Sequence, residues 1–275
     1  MLSWFAIDQQ AQTQGVSRRL VLGEIVQIAF LDALYKEKSS NTIFFQGGTS
    51  IRLLHHGWRY SEDLDFVIPG ESTDFLDIAV HSAYQHCLRT LQQLFGPNTA
   101  GLELKHGKDR SKLKTFWLHF FQSGQEATRV KLEFACFPVH QPQSYAVKQV
   151  EGVWPITPLV MSESLPELLA DKVTAFAGRT YIKGRDLFDL WYLTEVLDVK
   201  PDPELLLQKL ADYHIAEPLD KLETRLGQVA EKHIQDEMQR FLPEPYQTRL
   251  AAERYQKVLL AVRCVIEHVV TALRQ

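Results

Sequence analysis

The sequence predicts an α+β protein, a small mixed β-sheet preceded by a helical segment and followed by a mostly helical second half. Three observations point there. A β-branched and aromatic run, Thr42-Ile43-Phe44-Phe45, enters two glycines, and a short helical stretch and a second strand-like run follow them. Residues 102–137 then alternate apolar and polar side chains. Beyond Pro155 the apolar spacing becomes helical and remains so to the end. The divisions expected are 1–38 for the N-terminal helical segment, 39–155 for the sheet-bearing core and 156–275 for the helical C-terminal domain.

Val16 to Tyr35 reads as the first helix, with Leu20, Ile25, Ile28 and Ala29 at helical spacing and Ser17 placed to cap it. Lys38-Ser39-Ser40-Asn41 is polar and turn-forming, so the chain breaks before the strand at 42–45. Thr49 to His56 is expected as a short helix ended by Gly57, and Leu64 to Ile68 as a second strand stopped by Pro69-Gly70. Asp74 to Phe95 has a helical pattern and ends at Gly96-Pro97-Asn98. Leu102-Glu103-Leu104, Lys114 to Phe121 and Arg129 to Phe137 are expected as three antiparallel strands. In the second half Ser164 and Glu167 form a capping box with Pro166 in the first turn, opening a helix through Phe176. Further helices are expected over Arg185 to Leu197, Pro203 to Tyr213, Ala216 to Gly227, Ile234 to Phe241 and Tyr246 to Arg274, with Pro201, Pro203, Pro243 and Pro245 as punctuation.

The 275 residues are 45% apolar and 23% charged, a composition of ordinary globular proteins that excludes the disordered and fibrous classes. The N-terminus lacks the pattern of a secretory signal and no apolar stretch is long enough to span a bilayer, so a cytoplasmic location with no membrane partner is expected. Cys87, Cys136 and Cys264 are too far apart for a disulfide framework or a structural zinc site and are read as buried thiols. A formal net charge of −4 argues against coating nucleic acid by bulk charge, yet leaves room for a local basic groove that holds a nucleic-acid end.

Asp63-Leu64-Asp65 sets two carboxylates on one face of a strand, with Leu64 and Phe66 turned to the core. Two acids so close repel each other unless a cation sits between them, and hard divalent ions favour one or two carboxylates plus substrate phosphates. Alternation in Val130-Lys131-Leu132-Glu133-Phe134 puts Glu133 on the polar face of a later strand, where it can supply a third acid. Gly47-Gly48-Thr49, between a buried strand and a helix, offers backbone N–H groups that can approach a triphosphate. This order, a glycine-led helix start, then Asp-x-Asp, then a later acid, is what two-metal transfer onto or from an NTP requires.

The chain resembles the AbiEii/AbiGii nucleotidyltransferase toxins, the enzymatic halves of bacterial type IV toxin–antitoxin pairs active in abortive infection. The resemblance rests on Phe45-Gln46-Gly47-Gly48-Thr49-Ser50 with Arg59-Tyr60-Ser61-Glu62-Asp63-Leu64-Asp65-Phe66, then Val130-Lys131-Leu132-Glu133, then Leu169-Ala170-Asp171-Lys172, and last Gly184-Arg185-Asp186-Leu187-Phe188-Asp189-Leu190. It implies a nucleotidyltransferase core of the polymerase beta-like type that transfers NMP from an NTP to an acceptor hydroxyl. By the same resemblance Asp63, Asp65 and Glu133 hold Mg²⁺ or Mn²⁺, and Gly47, Gly48, Thr49 and Ser50 hold the NTP phosphates. The acceptor it implies is an RNA 3′ end, tRNA in particular, and the partner a separately encoded antitoxin protein. The alternatives are the same chemistry on a protein or small molecule, or an inactive binding module of this fold.

Lys172 is then expected to reach the β- or γ-phosphate; otherwise it is a solvated lysine paired locally. Asp186 and Asp189 share one helix face beside Leu187, Leu190 and Trp191, and the resemblance brings Asp189 to the site edge, as general base or as the partner that orients Lys172. The expected site is a cleft, with metal chemistry on the sheet side and phosphate handling on the helical side. Ser61 points to the face of Asp63 if the strand begins that early; it either caps the turn from Arg59 or is a regulatory position where phosphate would add charge beside the acids. Lys105, His106, Lys108, Arg110, Lys112 and Lys114 form a dense basic run on an expected hairpin, either a solvated loop or a contact for an RNA backbone. His55, His56, His81 and His86 lack ligand spacing and are taken as structural.

Overall fold

The computed structural model describes residues 2–70, 73–147 and 157–275. The chain divides into two compact units, 1–162 and 163–275. The boundary expected at 155/156 lies outside the described residues.

The first unit holds α1 (Trp4–Gln14), α2 (Arg18–Leu34), β1 (Phe44–Gln46), α3 (Gly47–Leu54), β2 (Asp63–Ile68), α4 (Asp74–Phe95), β3 (Ala100–His106), β4 (Leu113–Gln122), β5 (Gln125–Cys136), β6 (Pro142–Ala146) and β7 (Leu159–Glu163), whose last residue opens the second unit. The strands make one mixed sheet in the order β3-β4-β5-β2-β1-β7-β6. The pairs β1/β2, β3/β4 and β4/β5 are antiparallel, whereas β2/β5 and β1/β7 are parallel.

The helices α2 and α4 form where the sequence indicates, because Ser17 accepts from the Leu20 N–H and Gly96 takes a positive φ of 97° at the end of α4. The strand expected at 42–45 is displaced. Residues 38–42 close into a 3₁₀ turn held by Ser40 Oγ donating to the Glu37 carbonyl, so β1 starts at Phe44. Three elements lie outside the expected set: α1, which is polar but capped by Ser3 and ended by left-handed Gly15, together with β6 and β7.

One face of the sheet is covered. Leu64, Phe66, Phe116, Leu118, Phe120, Val130, Leu132 and Phe134 are buried against Ile7 of α1, against α2 and against α4. A row of rings crosses this face: Phe45 to Phe66 at 5.5 Å, Phe66 stacked on Phe134 at 4.7 Å, Phe134 edge-on to Phe116 at 5.9 Å. Each buried ring contributes roughly 1.5–3 kcal/mol, so this row fixes the relative heights of β1, β2, β5 and β4. By the two-residue period, the side chains between these rings stand on the opposite face.

The second unit is helical: α5 (Leu165–Gly178), α6 (Gly184–Trp191) continued by a π turn over Tyr192–Val196, α7 (Pro203–Asp212), α8 (Pro218–Leu226), α9 (Glu231–Phe241), α10 (Glu244–Ala252) and α11 (Gln256–Leu273). Ser164 caps α5 through the Glu167 N–H, as expected. The helix expected over Tyr246 to Arg274 is instead two helices, because Arg254 and Tyr255 both take left-handed φ values, 51° and 55°. Tyr255 is buried at this break, and its ring holds the kink in place. Among the described residues no helix is long and apolar enough to cross a membrane.

Candidate active site

Asp63 and Asp65 sit on β2, partly exposed on the face away from the rings, while Leu64 and Phe66 are fully buried. Parallel pairing sets Asp63 level with Lys131 and Asp65 level with Glu133 on β5. On the other side Gln46 of β1 is level with Asp65, so Glu133, Asp65 and Gln46 form one row across three adjacent strands. Neighbouring strands lie about 4.8 Å apart, so these side chains stand side by side on this face.

The glycines are required by what presses on them. Gly47 has φ +80°, and a Cβ there would lie 2.5 Å from Asp65 Oδ2. A Cβ on Gly48 would lie 2.8 Å from Arg59 Cζ, overlapping the guanidinium. The turn therefore seats a carboxylate and a guanidinium against bare backbone. Arg59, whose role its neighbours in sequence do not reveal, is buried, and its Nη1 donates to the Tyr60 carbonyl at 3.2 Å. Thr49 and Ser50 are fully buried; the Thr49 hydroxyl donates to the Asp63 carbonyl and Ser50 Oγ donates to the Gly47 carbonyl at 2.8 Å. These hydroxyls brace the turn and tie α3 to β2. The first N–H groups of α3 have no carbonyl within their own helix to bond, as at any helix start.

Behind the turn, α2 holds the loop that leads into β2. Glu24 takes Arg52 in a two-point ion pair at 2.7 and 3.2 Å, and Arg52 Nη1 donates to the Gly57 carbonyl at 2.9 Å. The same guanidinium lies 4.1 Å from the Tyr60 ring centroid. Burial, with the charge of Glu24, pushes the Tyr60 phenol up to about 12. Ser61 precedes the strand, which begins at Asp63; it is buried, and its carbonyl accepts from Gln27 Nε2 at 3.0 Å.

Glu133 is partly exposed and ion-paired with Lys131 at 2.8 Å. Among the described residues no three acidic, histidine or cysteine side chains are grouped so as to hold a metal ion. The donor set still suits a hard divalent cation, because Asp63 and Asp65 supply two carboxylates on an accessible face, and such ions take one or two carboxylates with the rest of the shell from water and phosphate. Glu133 joins that set only by leaving Lys131.

The basic run divides between the two sheet faces. Lys114 pairs with Asp77 of α4, and His106 packs on Phe116 at 4.8 Å, on the helix-covered side. Lys105 stands on the acid-bearing face, level with Trp117 and paired with Glu103 at 3.3 Å. Of the histidines, His55 meets Tyr145 edge-on and His86 lies 3.4 Å from Glu37. The thiols also differ: Cys87 is buried and its pKa is pushed up by burial, whereas Cys136 is half-buried and Cys264 exposed, so the buried-thiol expectation holds for Cys87 alone.

In the helical unit Lys172 is buried rather than solvated. Its Nζ lies 2.7 Å from Asp189 Oδ2 and 3.3 Å from Asp186 Oδ1, and Asp186 also meets Arg179 at 2.8 Å. Two carboxylates thus share the ammonium, the shorter contact being to Asp189. A second cluster escaped the sequence reading. Lys209 of α7 is fully buried, 2.8 Å from Glu163, 2.7 Å from Glu167 and 3.2 Å from Asp171. Burial and the Asp171 charge hold the Glu163 carboxyl well above the usual range, despite Lys209. Burial pulls the Lys209 ammonium down, but the three acids outweigh it and hold it above its ordinary value. The spacing of Glu167 and Asp171 was the available signal, since residues four apart share a helix face, whereas Glu163 lies on β7 just before the cap.

No curated protein sequence matches the chain. Among solved structures, the fold is similar to MenT4, a nucleotidyltransferase toxin from Mycobacterium tuberculosis, at 16% identity over all of both chains with a TM-score of 0.61. It is also similar to JHP933 from Helicobacter pylori, at 17% identity over 94% of this chain and all of that one, with a TM-score of 0.55. At such identities these likenesses bear on fold alone. The model of the AbiEii nucleotidyl transferase toxin family, type IV toxin–antitoxin system, matches residues 29–260, and the chain therefore belongs to that family of nucleotidyltransferases.

Proposed function

We propose that the protein transfers NMP from an NTP to a hydroxyl at the 3′ end of an RNA, tRNA in particular, in the cytoplasm. It does so as the toxin of an abortive-infection pair that a separately encoded antitoxin protein holds in check. The observation that carries the chemistry is the row of Asp65 with Glu133, beside Asp63 and behind the Gly47-Gly48 turn. In this reading Asp63 and Asp65, with Glu133 once it leaves Lys131, hold Mg²⁺ or Mn²⁺. When bound, the ions would lower the charge on the triphosphate and on the departing pyrophosphate.

The acceptor oxygen attacks the α-phosphorus in line, the bond from that phosphorus to the bridging oxygen breaks, pyrophosphate leaves and the hydroxyl proton passes to water or a nearby carboxylate. The N–H groups of Gly47, Gly48, Thr49 and Ser50 hold phosphate oxygens without an intervening side chain. Lys172 serves a phosphate as a point charge, oriented by Asp189; the 2.7 Å ion pair favours this role for Asp189 over that of general base. Ser61 is kept as a regulatory position, where a phosphate would set negative charge two residues before Asp63.

The test is incubation of purified protein with each α-³²P-labelled NTP, Mg²⁺ or Mn²⁺, and total cellular RNA, protein or metabolites. Label in RNA is expected from the native chain and none from Asp63→Ala. Label in protein or metabolites alone overturns the RNA acceptor. No label in any fraction, with calorimetric heats of Mg²⁺ and NTP unchanged by Asp63→Ala, leaves an inactive binding module.

A further inference from the structure

The sheet face that carries the acids continues onto β5, β4 and β3 as a mixed basic and aromatic surface. Register places Lys105, Trp117, Lys131 and Asp63 in one row across four strands, with Arg129 and His119 level with each other two residues along. Trp117 is half-buried and Arg129 exposed. The Arg129 guanidinium lies 5.3 Å from the Trp117 ring centroid, and Lys131 Nζ lies 5.9 Å from it. Trp117 and Asp63 are two strand spacings apart, about 10 Å.

We infer that this surface is the seat of a single-stranded nucleic-acid end, with a base on the Trp117 indole and the flanking phosphates on Arg129 and Lys131. The inference rests on the transferase reading above and names the surface on which its acceptor lies. Three features favour a single strand. An exposed guanidinium and an ammonium both lie within 6 Å of one indole centroid, which sets an aromatic ring beside phosphate-binding charge. Elsewhere in the patch Lys105 pairs with Glu103 at 3.3 Å, and His119 Nδ1 lies 2.6 Å from Glu126 Oε2. Arg129, beside the ring and close enough to Glu126 to act on its charge, is itself exposed. Last, the row leads without a turn of chain to Asp63, so a strand end stacked on Trp117 sets its terminal hydroxyl one or two nucleotide lengths away at the acids. Lys131 has a double part, since the phosphate that draws it away from Glu133 releases that carboxylate.

Binding of a fluorescein-labelled 12-nucleotide single-stranded RNA, followed by anisotropy in EDTA without NTP, tests the surface apart from catalysis. Trp117→Ala and Arg129→Glu are each expected to weaken binding about tenfold or more, Trp117→Phe to restore most of it, and Lys257→Glu on α11 to leave it unchanged. Thermal melts of each variant confirm folding. Wild-type binding by folded Trp117→Ala and Arg129→Glu overturns the inference, as does equal affinity for a duplex of the same length, which would mark charge without stacking. Loss of binding in these variants from a chain that labels nothing would sustain the surface and overturn the transfer. Transfer to RNA that none of them alters would do the reverse.

Discussion

Asp63, Asp65 and Glu133 in the sheet unit and Glu163, Glu167 and Asp171 in the helical unit are chemically one set, three carboxylates, in opposite surroundings. The second set is buried around Lys209, which approaches all three within 3.2 Å. The chain supplies its own cation there, and the closed arrangement serves the packing of α5 and α7. The first set stands partly exposed on a sheet face, where Glu133 pairs at 2.8 Å with Lys131, itself partly exposed. Acids become available to a cation from solution when the fold leaves them accessible, and access, more than the number of carboxylates, separates a site from a strut.

Four experiments break or sharpen this contrast. Asp63→Ala is expected to lower transfer by about a thousandfold or more, since an interaction made to the reacting phosphate is lost, while stability changes by no more than about 1 kcal/mol. Unfolding in urea beside the transfer assay checks both, and a severe loss of stability would make the sheet acids structural too. Lys209→Met is expected to cost about 3–5 kcal/mol, because it strands buried charge. Adding Glu163→Gln, Glu167→Gln and Asp171→Asn should recover most of that loss, and a quadruple variant as unstable as the single one would refute the strut.

Gly48→Ala, which drives a methyl group into the Arg59 guanidinium, should destabilise by about 1–3 kcal/mol, with recovery on adding Arg59→Ala. The smallest effect is in pH. With its folded pKa above the unfolded one, Glu163 keeps a proton in the native chain that the unfolded chain has lost, so its contribution to stability declines as pH rises above about 4.5. Melting temperatures from pH 4 to 8 should fall more steeply in the native chain than in Glu163→Gln; parallel curves would mean an ordinary carboxyl.

Much of this was legible in the residues. Ser17, Gly96 and Ser164 mark helix ends by local hydrogen bonding, and the alternation in 130–134 fixed Glu133 to the face of Asp65 before any pairing was known. What was illegible depends on distant partners. β6 is almost wholly exposed and has no apolar alternation, and β7 is a short strand whose place beside β1 comes from tertiary pairing. The break at Arg254 and Tyr255 contains neither glycine nor proline, and buried packing of Tyr255 outweighs local preference there. Lys209 carries no local signal, because its three partners lie 38 to 46 positions away. Arg59 and Trp117 had no local signal, since each draws its meaning from a residue on another element.

The Gly47-Gly48 turn also bears on how this site can change over generations. Asp65 occupies the space that a side chain at 47 would need, and Arg59 the space at 48. Positions 48 and 59 should therefore drift only together, a larger residue at one tolerated where the other has first shortened, and a lineage that loses Arg59 is freed to lose its second glycine.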